Sequence, residues 1–257
     1  MSRASGTYGR RGRLNDVSAG VRHPATTYGK VRRRTFSAKA DGSIDVESES
    51  ERFVSHLLAI DPRVRTFTPQ PFSVDLIRKR LLLTPSAIWT ARREYQDRSG
   101  PKLYTPDFRI DLLDGSRHVL EVKQEGLEGN DEYLERLERA RPILTANGYP
   151  LRMVVMPAST AHPLRRNVLA LKQAMHRGHA YLTPELIERV TARFEAGPAT
   201  VRTLCDELSL LPGLIPVLLV NGLLRADVAR LVIESDLELS LAYGELSHLC
   251  LLEEVER

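Results

Sequence analysis

The chain has 257 residues, with 37 Lys and Arg against 33 Asp and Glu and only two cysteines. This length accommodates one large domain or two modest ones, each able to bury a core. Two cysteines make no disulfide framework and no apolar run has membrane-spanning length, so we expect a reducing, cytoplasmic setting without a membrane partner. The sequence also lacks a phosphate-cradling glycine loop and a Gly-x-Ser-x-Gly elbow, which argues against an ATPase or a serine hydrolase.

Positive charge is concentrated in residues 1–40, which hold ten Lys and Arg against the single acid Asp16. Apolar residues are few there, so the segment cannot bury enough surface to offset the entropy lost on ordering. We therefore expect a flexible basic arm that either contacts DNA phosphates or acts as a solubilising tail. The candidate phosphate contacts are Arg10, Arg11, Arg13, Arg32, Arg33 and Arg34.

A helix is predicted from about residue 48 to Ile60, capped by Ser48 or Ser50 and stopped by Pro62. Its first turn is rich in acids, which the helix dipole favours without any further function. The spacing of apolar residues does not distinguish among these acids. They are Glu47, Glu49 and Glu51.

Two less regular stretches follow this helix. Val64 to Leu76 predicts a strand pair or a bent strand, and Gln70 within it can either face a metal site or belong to a structural turn. Residues 77–100 carry Arg- and Lys-rich stretches around Trp89. Two interpretations remain open for them: a basic insertion with Trp89 available to DNA, or a solvated excursion with Trp89 packed inward.

The strongest local signal is a hairpin around Asp114-Gly115, because period-2 runs flank this dipeptide on both sides. A two-residue turn would set Phe108 opposite Glu121 and mix the two faces of a half-buried hairpin. A three-residue loop over residues 113–115 avoids this conflict and puts Gly115 where a positive φ is wanted. One face then carries Phe108, Ile110, Leu112, Leu120 and Val122. The other carries Asp107, Glu121 and Lys123, with Asp107 directly opposite Glu121.

Two carboxylates that meet across a hairpin, with a lysine nearby on the same face, have a clear chemical use. Adjacent carboxylates repel unless a cation lies between them, and hard oxygen ligands suit Mg²⁺ or Mn²⁺. A lysine beside them can orient a water nucleophile and offset charge that develops on a phosphoryl group. The polar face of an ordinary strand also carries such residues, so by themselves they leave a structural role open.

Asp107 and the run Glu121-Val122-Lys123 resemble the motif of the PD-(D/E)xK nuclease superfamily, which has the restriction-endonuclease-like fold. Over residues 47–124 further blocks appear in an order that resembles TnsA, the endonuclease subunit of heteromeric transposons. The segment between Gln70 and Tyr104 departs from that pattern. The matching blocks are Glu47-Ser48-Glu49-Ser50-Glu51-Arg52, Asp61-Pro62, Gln70-Pro71, Tyr104-Thr105-Pro106-Asp107-Phe108 and Glu121-Val122-Lys123.

This resemblance implies a metal-dependent DNA endonuclease that cuts the 5′ ends of a transposon. It selects Glu51 as the catalytic glutamate, with Asp107 and Glu121 as further metal ligands and Lys123 positioning or activating water. It implies two bound Mg²⁺ ions, with Mn²⁺ possible. The implied partners are transposon-end DNA, a TnsB-like DDE transposase that cuts the 3′ ends, and a TnsC-like AAA+ regulator. Two alternatives stay open: a stand-alone repair or restriction nuclease of the same fold, and a non-catalytic DNA-binding assembly factor.

Downstream of the hairpin, Asp131 is predicted to cap a helix to about Asn147 with Leu134, Leu137, Ile143 and Leu144 inward. A buried strand over residues 151–156 then completes the αβββαβ order of the nuclease core. Pro163 opens a helix to about Gly178, interpreted as a linker.

The chain changes character from Tyr181 onward. Three helices are predicted over residues 184–194, 200–208 and 212–220, followed by wing strands over residues 223–227 and 231–233. This order predicts a winged-helix domain, which the TnsA family also carries at its C-terminus. Residues 181–257 hold thirteen acids against six Arg and no Lys, so we expect this domain to bind protein rather than DNA.

The predicted fold class is therefore α/β, with a restriction-endonuclease-like core followed by a mostly helical winged-helix domain. The predicted domains are a basic arm over residues 1–40, a nuclease domain over 41–178 and a winged-helix, partner-binding domain over 179–257.

Overall fold

The structure is a computed structural model that describes residues 33–127 and 129–256. These residues form two compact units of a mixed α/β fold: 33–52, 64–122 and 129–153 make the first, and 53–63, 123–127 and 154–256 make the second. No single helix in the described ranges is long and apolar enough to cross a bilayer, although one strongly bent helix pair passes the same test jointly. Four of the predicted phosphate contacts lie outside the described residues: Arg10, Arg11, Arg13 and Arg32.

The regular elements are numbered in chain order within the described residues. The strands are β1 (Arg33–Ser37), β2 (Gly42–Val46), β3 (Val64–Pro69), β4 (Ser73–Asp75), β5 (Arg80–Leu82), β6 (Leu103–Tyr104), β7 (Phe108–Leu112), β8 (Arg117–Gln124), β9 (Leu151–Met156), β10 (Ala199–Thr200), β11 (Leu224–Arg225) and β12 (Glu238–Leu241). The helices are α1 (Glu49–Ile60), α2 (Pro85–Glu94), α3 (Asp131–Ala146), α4 (Pro163–Arg177), α5 (Pro184–Glu195), α6 (Val201–Leu208) and α7 (Ile215–Val220).

Strands β1 and β2 form an antiparallel hairpin in which Arg34 lies opposite Asp45. The side chains of Ile44 and Val46 are fully buried, and Arg34 Nε donates to Asp45 Oδ1 at 3.0 Å. The prediction of a flexible arm over residues 1–40 is therefore wrong for residues 33–40. That prediction was based on the composition of residues 1–40 alone. The apolar residues of the partner strand β2 begin just beyond residue 40.

A four-stranded sheet of order β3-β7-β8-β9 carries the predicted hairpin. Strand β7 is antiparallel to both β3 and β8. The backbone hydrogen bonds Val119 N to Pro150 O and Glu125 N to Met156 O share one sequence offset, so β9 runs parallel to β8. The pairs β3–β7 and β7–β8 are thus antiparallel, and β9 is added parallel to β8 after a helical crossover.

The β7–β8 hairpin has the register expected from the sequence. Phe108 pairs with Leu120, and residues 113–115 form the loop, with Gly115 at a φ of 86°. The expectation of a half-buried hairpin is wrong, however. Val119 and Glu121, on the predicted polar face, are 0% and 5% exposed, because Val119 packs in a core cluster with residues of α3.

Helix α3 is capped by Asn130, whose Oδ1 accepts the Tyr133 N–H at 3.0 Å, one residue before the predicted cap. Its inward face holds Leu137, Ala140 and Leu144 with Tyr133 packed beside them. Leu134 is 45% exposed, so its predicted inward position is wrong. The helix is rotated so that Tyr133, one turn before Leu137, contacts the core instead.

The region between β3 and β7 forms a small module of its own. Strands β4, β5 and β6 make an antiparallel sheet of order β5-β4-β6. The stretch from Val64 to Leu76 thus contains two strands, but β3 and β4 lie in different sheets and do not pair with each other. Helix α2 of the module covers a cluster of buried residues, namely Leu82, Ile88, Ala91 and Tyr95. Trp89 on the same helix is 59% exposed, so the interpretation that it packs inward is wrong.

The second unit contains α4 to α7 and a three-stranded sheet of order β10-β12-β11. The three predicted helices are confirmed, the last preceded by a 3-10 turn over Pro212–Leu214. The first predicted wing strand is confirmed in part as β11, but the second is wrong, because it lies at Glu238–Leu241 rather than at residues 231–233. The Ile233 N–H is bound by the Asn167 side chain instead of by a neighbouring strand.

Helix α4, predicted as a linker, contacts α7 within this unit. Asn167 on α4 is 2% exposed. Its Nδ2 donates to the backbone oxygens of Val228 at 2.8 Å and Leu231 at 2.7 Å. Helix α4 is therefore integrated into the core of the unit that carries the C-terminal sheet.

Candidate functional site

The β7–β8 hairpin brings Asp107 and Glu121 together at its open end. Asp107 precedes β7 and continues the ladder, since its N–H donates to Leu120 O at 3.0 Å. Its side-chain Oδ2 accepts the Val122 N–H at 2.7 Å. Glu121 is 5% exposed, whereas Asp107 is half-buried. A backbone N–H thus fixes the Asp107 carboxylate, which keeps access to solvent.

Two tyrosines hold the Glu121 carboxylate. The Tyr104 hydroxyl donates to Oε2 at 2.7 Å and the Tyr133 hydroxyl donates to Oε1 at 2.6 Å. Burial raises the pKa of Tyr104 well above its usual value, and the charges of Glu121 and Asp107 raise that pKa further. The same causes raise the pKa of Tyr133. Both phenols therefore stay protonated and act only as donors to Glu121.

Neither tyrosine was identified as a site residue from the sequence. Tyr104 belongs to the Tyr104–Phe108 run that carries the family resemblance, but the run assigned it no role. Tyr133 has a weaker signal, since it lies four residues before Leu137 and hence on the same helix face. Its partner becomes evident only when α3 is packed on the sheet.

Glu51 lies in the first turn of α1, where it forms a capping box with Ser48. The Glu51 N–H donates to Ser48 Oγ at 3.1 Å, and Ser48 Oγ donates back to Glu51 Oε1 at 2.8 Å. The Glu47 N–H donates to Glu51 Oε2 at 3.0 Å. This arrangement identifies Ser48 as the cap and gives Glu51 a structural task in its own right.

Glu51 is also part of a cluster of carboxylates. Burial raises the pKa of Glu51; the hydrogen bonds from Glu47 N–H and Ser48 lower it, and the charges of Glu47 and Glu121 raise it again. The balance leaves the Glu51 pKa above its usual value. The cluster therefore brings several negative charges close together, and a bound cation would reduce their mutual repulsion.

Gln70 adds an unusual oxygen to this cluster. It has a φ of 43° and is 5% exposed. Its N–H donates to Asp107 O at 2.8 Å, and its Nε2 donates to Glu47 Oε1 at 3.1 Å. Its Oε1 is buried with no hydrogen-bond partner among the described residues. Because an ionised carboxylate only accepts hydrogen bonds, Nε2 must face Glu47, which leaves Oε1 as a free acceptor.

The remaining predicted residues are more dispersed. Lys123 is half-buried and follows Glu121 by two positions on β8, so strand alternation gives both side chains the same side of the strand. Arg33 forms an ion pair with Glu49 at 2.9 Å, and Arg34 forms one with Asp45. These two predicted phosphate contacts are thus engaged with acids in the described structure.

The donor atoms of these residues can be compared with the ligands that metal ions prefer. Among residues 33–127 and 129–256, no group of three or more His, Cys, Asp or Glu side chains is arranged to hold a metal ion. The carboxylates and the Gln70 oxygen are nevertheless the hard ligands that Mg²⁺ prefers. A carboxylate oxygen has two lone pairs, so the tyrosine hydrogen bonds to Glu121 are compatible with metal ligation. The residues therefore fit a divalent cation in type, with Glu51, Asp107, Glu121 and Gln70 as the oxygen donors.

Comparison with known proteins identifies no relative, since no family model matches the chain and no curated protein matches it significantly. The carboxylates, the phenol donors and the free amide oxygen of this site match a divalent cation in donor type.

Proposed function

We propose that this chain is a metal-dependent DNA endonuclease of the TnsA type, which cleaves the 5′ ends of a transposon. The observation that carries the proposal is the convergence of three acids from separate elements. Asp107 lies beside Glu121 across the β7–β8 hairpin, where its N–H donates to Leu120 O and its Oδ2 accepts the Val122 N–H at 2.7 Å, and the charge of Glu121 raises the pKa of Glu51. Such a concentration of buried negative charge is costly unless a cation is bound there.

The order of elements supports the same proposal. Helix α1, strands β3, β7 and β8, helix α3 and strand β9 occur in the order αβββαβ, with β4, β5, α2 and β6 inserted between β3 and β7, and β9 is parallel to β8. This is compatible with a restriction-endonuclease-like core. The later order of α5, β10, α6, α7, β11 and β12 is compatible with a winged-helix domain. A fold alone does not assign a function, which depends on the residues of the site.

Each side chain has a proposed task. Glu51, Asp107 and Glu121 would hold Mg²⁺ or Mn²⁺, which when bound stabilises charge that develops on the phosphoryl group. Tyr104 and Tyr133 fix the rotamer of Glu121 by donating to its two oxygens. Lys123 would orient the attacking water and balance negative charge.

The partners proposed for this activity are transposon-end DNA, a TnsB-like DDE transposase and a TnsC-like AAA+ regulator. The acidic composition of residues 181–257 favours a protein partner for the C-terminal part of the chain, since a net charge near −7 repels phosphate.

The test is a strand-specific nicking assay. The full chain is incubated with 5′- and 3′-labelled transposon-end DNA and Mg²⁺, with and without the DDE transposase of the same element. We expect 5′-strand cleavage that depends on Mg²⁺ and is abolished in Asp107→Asn. Asp114→Asn is the matched control, because Asp114 is an exposed carboxylate of the hairpin loop bound only to Ser116.

The outcomes separate the alternatives. Undiminished cleavage by Asp107→Asn would refute the site assignment. Full activity of the chain without a transposase would favour a stand-alone nuclease. If calorimetric titration detects no binding of Mg²⁺ or Mn²⁺ and no strand is cut, the chain is a non-catalytic assembly factor.

A further inference from the structure

Residues 77–103 form a small module with a positively charged surface. Asp75, which is fully buried, organises its base. Its Oδ1 accepts the N–H groups of Ile77 and Arg78, and its Oδ2 accepts the Tyr95 hydroxyl at 2.9 Å. The module is therefore fixed to β4 by a buried polar contact as well as by its own small core.

The exposed face of α2 carries an aromatic ring and a cation in contact. Trp89 is 59% exposed, and the Arg93 guanidinium lies 4.6 Å from the centre of its ring. Arg92, at i+3 from Trp89, lies on the same side of the helix. An indole held at the surface in this way keeps one face available for stacking, while the cations remain available to anions.

Charge on the module is strongly positive. Residues 77–103 hold seven Lys and Arg against two acids. Arg78 is neutralised by Glu94 at 2.6 Å, and Arg80 approaches Asp75 at 3.5 Å. The other exposed cations of the turn and of the helix end have no acidic partner in the described part of the chain; these are Lys79, Arg92, Arg93 and Arg98. The helix dipole accounts for cations in the last turn of α2 but not for Lys79 or for the exposed indole.

The module is joined directly to the candidate site. Strand β6 leads out of it and ends at Tyr104, whose hydroxyl binds Glu121 at 2.7 Å. Both belong to the first unit. A polyanion bound along α2 would therefore be held by the same compact unit that holds the carboxylate cluster.

We propose that the face of α2 formed by Trp89, Arg92 and Arg93, extended by Lys79 and Arg98, is a binding surface for duplex DNA. The cations contact backbone phosphates, and the Trp89 ring packs against a sugar or an unstacked base. The choice of DNA as the nucleic acid rests on the proposed function. The binding itself requires no cleavage.

The chain offers a direct reporter, because Trp89 is its single tryptophan. The full chain is titrated in EDTA with a duplex of about 30 base pairs, and tryptophan emission is followed together with the anisotropy of the labelled duplex. We expect both signals to change at the same DNA concentration. Raising the salt should weaken both in parallel, since phosphate contacts release counterions.

Substitution then identifies the surface. Arg92→Ala with Arg93→Ala should weaken binding at least tenfold at low salt and reduce the slope of log affinity against log salt by about 1.8, the value for two phosphate contacts. The matched control removes two exposed arginines that are ion-paired elsewhere, Arg139 with Glu135 and Arg166 with Glu234, and should stay within about twofold. Trp89→Ala should weaken binding more than Trp89→Phe, which retains a stacking ring.

Three results would overturn the inference. The first is that DNA does not bind at all. The second is that the anisotropy changes while Trp89 emission does not, since another surface then binds the duplex. The third is equal loss in the two double variants. Failure of the nuclease proposal is distinguishable, because a chain that never cleaves DNA can still show quenching of Trp89 and dependence on Arg92 and Arg93.

Discussion

Tyr104 donates its hydroxyl to Glu121 Oε2 at 2.7 Å, and both side chains are buried. The bond links the last residue of β6 to the middle of β8, so it also joins the basic module to the hairpin. Since burial raises the pKa of Tyr104, the phenol remains a donor over the whole working pH range. Glu121 is therefore held in one orientation before any cation arrives, which reduces the entropy lost on metal binding.

The first prediction removes this bond. Tyr104→Phe leaves a buried carboxylate short of one donor, so the free energy of unfolding should fall by about 1–3 kcal/mol. The affinity for Mg²⁺, measured by calorimetry, should fall as well because Glu121 is less well fixed. Tyr149→Phe is the control, since the Tyr149 ring stacks at 5.2 Å from Phe72 and keeps that contact without its hydroxyl. Equal effects of the two variants would contradict the proposed role of Tyr104.

Features that depend on residues close together in the sequence were predicted correctly. The hairpin register followed from alternation of side chains and from Asp114-Gly115, because both act over a few positions. The sequence left the cap of α1 open between Ser48 and Ser50, and the hydrogen bonds with Glu51 identify Ser48. The donors of Glu121 did not follow, because Tyr104 and Tyr133 reach it from elements 17 and 12 residues away. No local pattern records how α3 is rotated on the sheet.

The wrong predictions for residues 33–40 and for the second wing strand at residues 231–233 have a similar origin. Residues 33–37 are basic and were assigned to an arm, yet they pair with β2 through the backbone, which is insensitive to side-chain charge. Residues 231–233 are apolar, and Val232 and Ile233 are β-branched, but the Asn167 side chain binds the Leu231 oxygen and the Ile233 N–H, so these groups do not pair with a neighbouring strand. In both cases a long-range contact outweighs the local preference.

The second prediction concerns Glu51 and pH. Its pKa is raised above 4.5 in the folded chain, chiefly by burial, so the folded chain binds more protons than the unfolded one just above that pH. The free energy of unfolding must therefore fall as pH rises from about 4.5 through the folded pKa. Glu51→Gln should remove most of that fall, and added Mg²⁺ should reduce it in the unmodified chain only.

Urea unfolding between pH 4.5 and 8 measures this effect. Glu49→Gln is the control, because Glu49 is partly exposed and ion-paired to Arg33 and Arg52. If the unmodified chain and Glu51→Gln lose stability in parallel as pH rises, Glu51 is not the group responsible.

The third prediction concerns the Gln70 side chain, which carries the free oxygen. Gln70→Gly suits the φ of 43° but also removes the buried donor to Glu47, so the free energy of unfolding should fall by about 1 kcal/mol. The affinity for Mg²⁺ should nevertheless fall about tenfold, because one oxygen donor is lost. Ser209→Gly provides the control, since Ser209 has a φ of 52° and its replacement should leave Mg²⁺ binding unchanged. Unaltered Mg²⁺ affinity in Gln70→Gly would make Gln70 a structural residue only.

The fourth prediction tests whether α4 belongs to the core of the second unit. Asn167→Ala removes the partners of three backbone groups, those of Val228, Leu231 and Ile233. The free energy of unfolding should fall by about 3 kcal/mol, and the Ile233 amide should lose protection from hydrogen exchange. Asn147→Ala, which removes one local bond to Ile143 O, should cost less than about 1 kcal/mol. If the free energy of unfolding falls by a similarly small amount in both variants, α4 is only a linker.

The last prediction separates the two charged regions of the chain. Residues 181–257 carry a net charge near −7, and the three arginines on α5 and α6 are engaged within the second unit. Arg189 donates to Leu208 O at 2.7 Å, Arg193 pairs with Glu207, and Arg202 approaches Asp236 at 3.5 Å. Replacing all three by alanine in the full chain should therefore leave duplex affinity within about twofold, although three positive charges are lost. Gel shifts at two salt concentrations measure this beside the Arg92→Ala, Arg93→Ala variant. If the triple variant loses tight, salt-sensitive binding and the α2 variant does not, the acidic region contains the DNA-binding surface and the assignment of tasks to the two regions is reversed.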